Sequence, residues 1–222
     1  MNITDKIRIT NEDNMALMAR YPDKYFDLAI VDPPYGIHDK ISKGNRKKQS
    51  KGSKFSWLYS EKNWDKFRPN DSYWNELLRV SKNQVICGGN YFAEKLPVSR
   101  GWAVWDKQGD GMSSVNNELI YTSFDVSIEI FSRCHGLDKG FMAKGVNTIL
   151  HPTQKPIALY KWILNKYAKP DYKILDTHLG SGSIAIACHD YGFDLTACEL
   201  DREYYDLAIK RIQNHIAQQK II

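Results

Sequence analysis

The stretch VDPPYG, residues 31–36, ends an apolar run, FDLAIV, with an acid, two prolines and an aromatic ring. Each proline removes a backbone N–H donor and fixes φ, so a strand must stop there. What remains is a rigid corner made of the Asp32 carboxylate, the carbonyls of Pro33 and Pro34, and the Tyr35 ring. Acceptors beside a stacking surface suit a flat molecule that donates hydrogen bonds. The rival reading of Asp32 is an acid that only stabilises a turn. A second cluster lies in the C-terminal part of the chain, where YKILD, THLGSGS, IAIACHDYG and FDLTACELD follow one another. They read as strand, glycine turn, helix, strand and acid. Asp176 closes the first strand, Gly180 and Gly182 form the turn, and Glu199 closes the next strand 23 residues after Asp176. Doubly wound sheets hold adenosine-type cofactors with this layout, glycines admitting the ligand to the backbone and the acid accepting from ribose hydroxyls. Asp201 fits the cap of the helix that follows.

The place of the third glycine in a dinucleotide fingerprint is taken by Ala185, a permitted variant, so spacing leaves a nicotinamide cofactor open. No hydride-transfer constellation accompanies it, however, and the Asp32 corner would have no use. S-adenosylmethionine carries the same adenosine with an amino-acid tail and gives that corner a purpose. A third feature is electrostatic. Residues 40–68 hold ten Lys/Arg against two acids, a net +8 in a chain whose total is +5. Phe55, Trp57, Tyr59 and Trp64 are interleaved with these cations. A solvated surface loop explains charge alone, but a cationic segment bearing aromatics suits a polyanion with stackable bases. Lys43, Arg46, Lys47, Lys48, Lys51 and Lys54, within a 38–66 loop, are the candidate nucleic-acid contacts.

The elements that must position these residues follow from the rest of the chain. At 222 residues, 42% apolar, it is expected to form one domain with a substantial core. Membrane-length apolar runs and a signal-peptide pattern are absent, and four scattered cysteines suit free thiols in a reducing cytoplasm rather than disulfides or a metal site. Strand-like runs recur at 6–10, 26–31, 83–89, 101–105, 125–131, 172–176 and 194–198. Helical patterns lie at 11–21, 71–80 (capped by Asp71 or Ser72), 153–168 (Pro156 in its first turn) and about 202–218. Alternation of strand and helix predicts an α/β domain with a mostly parallel sheet, the run at 125–131 marking an antiparallel element. Trp102, Trp105 and Trp162 are read as core.

Three segments, VDPPYG (31–36), HPTQKP (151–156) and ILDTHLGSGS (174–183) followed by ACELDREYY (197–205), resemble the amino-group DNA methyltransferases, specifically their permuted β group. In that group the target-base motif precedes the cofactor motif. NYF (90–92) and WAVWDK (102–107) are similar to small phage- and prophage-type members. The resemblance implies a Rossmann-like fold with helices on both sheet faces and permuted motif order. It also implies transfer of a methyl group from S-adenosylmethionine to N6 of an adenine flipped out of duplex DNA. Asp32 and the Pro33 carbonyl would accept the amine N–H bonds, Pro34 would complete the corner, and Tyr35 would stack on the base. Asp176, Gly180, Gly182 and Glu199 would hold the cofactor. Lys155 would reach the cofactor carboxylate, its alternative being a surface lysine. Asp13 would meet the cofactor adenine or, equally, cap a helix.

The chain departs from the family pattern D-P-F-x-G-S-G-T at Thr177 and His178, which replace proline and phenylalanine. That departure motivates one alternative, a nucleic-acid-binding protein with a degenerate cofactor site. N4-cytosine methylation stays open because both targets are aromatic exocyclic amines, and an NAD-dependent oxidoreductase because the glycine spacing permits it. Asp rather than Ser at the first motif position favours adenine. A homodimer and a restriction-modification or phage setting are expectations by analogy.

Overall fold

A computed structural model describes residues 1–37, 67–107, 117–133 and 154–219. The elements in chain order are β1 (Ile7–Asn11), α1 (Asn14–Met18), β2 (Phe26–Val31), α2 (Asp71–Val80), β3 (Ser81–Cys87), a 3-10 turn (Gly89–Tyr91), β4 (Trp102–Asp106), β5 (Glu118–Thr122), β6 (Glu129–Ser132), α3 (Ile157–Tyr167), β7 (Lys173–Asp176), α4 (Ser183–Tyr191), β8 (Asp194–Glu199) and α5 (Arg202–Gln219).

Among the described residues the strands form one eight-stranded sheet in the order β1-β8-β7-β2-β3-β5-β4-β6. The first five are mutually parallel, and β5 runs antiparallel to both neighbours, β3 and β4. FDLAIV is apolar on both sides because β2 is covered on both sides. Leu28 and Ile30 pack with Leu159 and Ile163 of α3, Ile184 of α4 and Ile212 of α5. Ala29 and Val31 face Leu17 of α1 and Tyr73, Trp74 and Leu77 of α2. This is the both-faces burial expected of parallel strands. Trp105 is fully buried, whereas Trp102 and Trp162 are partly so. Cys87, Cys188 and Cys198 are free, buried thiols.

Three details correct the expectations. The antiparallel member is β5, which the sequence reading passed over, and the run at 125–131 contributes only β6, parallel to β4. The cap of α2 is Asn70, whose side chain accepts from the Tyr73 N–H, so Asp71 becomes the first-turn acid. Asn70, Asp71 and Ser72 are all capping types, and the chain uses the earliest. Pro156 sits at the N-cap of α3 with extended backbone, one position before the first turn. Asp201 does cap α5, accepting from the N–H groups of Glu203 and Tyr204 at 2.9 and 3.1 Å. No helix among the described residues is long and apolar enough to cross a membrane.

Candidate active site

Parallel strands end on a common edge, and ligands of open α/β sheets gather there. Here that edge carries Asp13 after β1, Asp32 after β2, Gly88 and Gly89 after β3, Asp176 ending β7 and Glu199 ending β8. Because β5 runs the other way, its first residue, Glu118, arrives at the same edge, two places beyond the pairing of Cys87 with Ile120. Lys107, just past β4, joins it.

The Asp32 corner is an ion cluster. Lys155 Nζ lies 2.6 Å from Asp32 Oδ1 and 3.1 Å from Glu118 Oε1, with only 3% of its side chain exposed. It also donates to the Tyr35 hydroxyl at 2.9 Å. That hydroxyl in turn bridges Asp32 Oδ1 at 2.7 Å and Glu118 Oε1 at 3.0 Å. Lys107 holds the other Glu118 oxygen at 3.1 Å. Burial works against every charge here, yet Lys155 and Lys107 outweigh it at Glu118 and bring that carboxyl down to about 2. Burial likewise opposes the Lys155 charge, but Asp32 and Glu118 together hold its pKa above the ordinary lysine value. At Asp32 burial prevails over Lys155, and Glu118 adds repulsion, so its carboxyl is raised. Ligand atoms of Asp32, Cys87 and Glu118 converge within 4.8 Å, and the Lys155 ammonium bridges the two carboxylates there.

The Tyr35 ring stacks on Tyr91 at 4.7 Å and 12°, with Phe92 edge-on at 6.0 Å. Gly88 makes room for it. Its φ is +65°, and a Cβ there would lie 2.4 Å from two atoms of the Tyr35 ring.

The glycine turn is held from three sides. Gly180 and Gly182 have φ of +54° and +77°, conformations that glycine adopts without strain. Glu199 accepts from the N–H of Gly180 and of Asp201, each at 2.9 Å, and burial raises its pKa. Arg211 of α5, brought down to about 10 by burial, donates to the Ser181 carbonyl at 2.8 Å and to the Ser183 hydroxyl at 3.0 Å. Asp176 accepts from the His178 N–H at 2.9 Å and is pushed up to about 8 by burial. The donors and acceptors fit a ligand with ribose hydroxyls and an ammonium: two carboxyl groups flank a turn with no side chain at Gly180 or Gly182.

Thr177 and His178, the departures from the family pattern, belong to a hydrogen-bonded chain. It runs from Tyr73 OH to Thr177 Oγ1 (2.8 Å), on to His178 Nδ1 (2.9 Å), and from His178 Nε2 to Asn14 Nδ2 (3.1 Å). The chain joins α2, the turn and α1. An amide donor on Nε2 requires the neutral Nδ1–H tautomer, which then donates to Thr177. Burial lowers the His178 pKa to about 4 despite Asp13, against an ordinary 6.5. A depressed folded-state pKa contributes stability that is present above 6.5 and lost as pH falls through 4. Asp176 acts in the opposite sense, its raised pKa costing stability as pH climbs toward 8. The wild type must therefore be compared with His178→Gln at each pH. The melting-temperature advantage of wild type is expected to shrink by about 5 °C between pH 7 and pH 4. An advantage independent of pH would show that His178 is not buried neutral.

Asp13 accepts from the N–H of Met15 and Ala16 and is the N-cap of α1. The helix-cap alternative thus describes its contacts, and its Asn14 neighbour reaches the glycine turn. Lys155 is placed on Asp32 and Glu118. Lys43, Arg46, Lys47, Lys48, Lys51 and Lys54 lie outside the described residues. Sequence reasoning missed Glu118, Lys107, Tyr91 and Arg211. The WAVWDK and NYF resemblances pointed at Lys107 and Tyr91 without giving them roles, and Glu118 carried no signal once β5 was missed.

One sheet edge thus carries an acidic proline corner and a glycine turn flanked by two carboxyl groups. The family model for DNA methylases of the N6/N4 type matches residues 6–210, and the chain belongs to that family. It is 24% identical to the type II methyltransferase M1.MboII of Moraxella bovis, over 84% of this chain and 88% of that one. Its fold matches the crystal structure of an M1.HpyAVI–SAM complex at a TM-score of 0.57, with 18% identity over 92% of this chain and 98% of the other. It matches the cytosine-N4-specific PvuII DNA methyltransferase at 0.56, with 12% identity over 95% and 92% of the two chains.

Proposed function

We propose that this DNA methylase is a permuted, β-group member that transfers a methyl group from S-adenosylmethionine to the exocyclic N6 of an adenine in duplex DNA. The observation that carries the reading is the Asp32 carboxylate. Its Oδ1 is held by Lys155 and Tyr35, while Oδ2 has no hydrogen-bond partner among the described residues.

When bound, S-adenosylmethionine supplies a methyl group on a positively charged sulfur. An adenine amine is a poor nucleophile because its lone pair is delocalised into the ring. Asp32 Oδ2 and the Pro33 carbonyl, accepting its two N–H bonds, favour a pyramidal nitrogen whose lone pair is available. Positioned acceptors in a buried corner act without reorganising, which supplies much of the rate. Asp32 is also an acceptor for the proton the nitrogen sheds after methylation. A base inside a duplex cannot reach this corner, so it has to be flipped out, and the Tyr35–Tyr91 pair offers aromatic surface in exchange for lost stacking. Asp176, Glu199 and the turn at Gly180 and Gly182 are the cofactor contacts in this reading. The basic segment is the DNA contact.

The test is incubation of purified protein with tritiated-methyl S-adenosylmethionine and unmodified duplex DNA, followed by nucleoside digestion and chromatography. Label in N6-methyladenine is expected. Label in N4-methylcytosine would correct the base and leave the corner chemistry intact. Absence of label with DNA still bound would overturn the reading in favour of a binding protein.

A further inference from the structure

We infer that Glu118 is a positioning residue of the transfer reaction: it anchors the Lys155 ammonium and the Tyr35 hydroxyl on Asp32 Oδ1, so that Oδ2 is the oxygen turned to the target amine. The inference rests on the function proposed above. Its first support is a donor inventory. Lys155 has three N–H bonds, and the described residues give it three acceptors, Asp32 Oδ1, Glu118 Oε1 and the Tyr35 hydroxyl. Tyr35 has one proton and lies within hydrogen-bond distance of both carboxylates. Glu118 therefore anchors the Lys155 ammonium directly and shares the single Tyr35 proton with Asp32. Without it, one ammonium N–H loses its acceptor in a buried site and the phenol loses its second carboxylate contact, a costly arrangement away from water.

The second support is charge. With all four groups ionised, Asp32 and Glu118 balance Lys155 and Lys107. Moving Lys155 away to a cofactor carboxylate would leave two buried carboxylates sharing Lys107. The pairing thus keeps Lys155 in the corner, a different task from the cofactor contact that the family resemblance implies.

Among the described residues, the titratable groups that interact with Asp32 are Tyr35 on its own loop, Cys87 at the end of β3, Glu118 on β5, Lys155 before α3, Tyr160 on α3 and Asp176 on β7. Among them Glu118 is a negative neighbour that raises the Asp32 pKa, so neutralising it shifts Asp32 to lower pH.

The experiment compares wild type, Glu118→Gln and Glu118→Asp in single-turnover methyl transfer across pH, with S-adenosylmethionine affinity by calorimetry and thermal unfolding on the same preparations. Glu118→Gln is expected to lower the plateau rate by about 10- to 100-fold. It is also expected to move the acid limb of the profile to lower pH and to leave cofactor affinity unchanged. Glu118→Asp is expected to return the acid limb toward wild type. A Glu118→Gln plateau and acid limb equal to wild type, or a loss confined to cofactor affinity or folded fraction, would overturn the inference while leaving the methyltransferase reading standing. A wild type that binds DNA but transfers no label would overturn both.

Discussion

Asp32→Ala is expected to lower the rate of methyl transfer by at least about 100-fold while leaving S-adenosylmethionine affinity close to wild type. The reason lies in what the side chain holds. Its Oδ1 is engaged by Lys155 at 2.6 Å and Tyr35 at 2.7 Å, and its Oδ2 is the acceptor assigned to the amine. Removing the carboxylate takes away an acceptor that is already oriented, so the amine loses its alignment and the developing positive charge loses its nearest counter-charge. The fold should tolerate the change. Lys155 loses one acceptor but keeps Glu118 at 3.1 Å and the Tyr35 hydroxyl at 2.9 Å, so the buried ammonium retains a counter-charge and the stability loss is modest. Burial already penalises the Asp32 charge, which reduces what its removal costs. Asp32→Asn separates shape from charge: it keeps an acceptor oxygen, and it is expected to transfer more slowly than wild type but faster than the alanine variant. Single-turnover transfer and calorimetry on the same preparations make the comparison. An Asp32→Ala enzyme with wild-type turnover would sink the corner mechanism.

The legible part of the molecule was the part whose signal is local. FDLAIV followed by two prolines can only be a strand that stops, and the glycine turn carries its own conformational demand at Gly180 and Gly182. Strand β5 was not legible because ELIYT is short and follows a polar stretch, while the longer run at 125–131 drew the assignment yet yields only β6. That miss had a chemical consequence, since Glu118 reaches the site only because β5 reverses direction beside β3. Lys155 illustrates a second limit. Its motif predicts a functional lysine, but which anion it meets is decided by burial and by two carboxylates more than thirty residues away in the chain. Thr177 and His178 looked like defects when compared with a family pattern. In the fold they are joined to Tyr73 and Asn14, residues with no sequence link to the turn.

Gly88→Ala is expected to be the most damaging single methyl group in the site, lowering transfer by about 100-fold and melting temperature by about 5 °C. Two effects combine. The backbone at Gly88 is left-handed, with φ +65°, which costs a residue bearing a Cβ about 1 kcal/mol. The added methyl would also lie 2.4 Å from Tyr35 Cε1 and Cζ and 2.8 Å from its hydroxyl. Tyr35 has nowhere to yield, because its ring rests on Tyr91 and its hydroxyl is tied to Asp32, Glu118 and Lys155. Overpacking of this kind typically costs about 1–3 kcal/mol, and here it displaces the ring that carries one of the donors on Asp32. Gly192→Ala is the matched control. Its φ is +73°, but nothing lies within 4 Å of the added Cβ, so it carries the backbone cost alone. It is expected to lose a little stability and no activity. If Gly88→Ala instead behaves like Gly192→Ala, with normal turnover and a small thermal loss, then the placement of Tyr35 against Asp32 is not needed for the reaction. If it loses turnover out of proportion to its stability, the glycine after β3 acts on the reaction through the position of Tyr35.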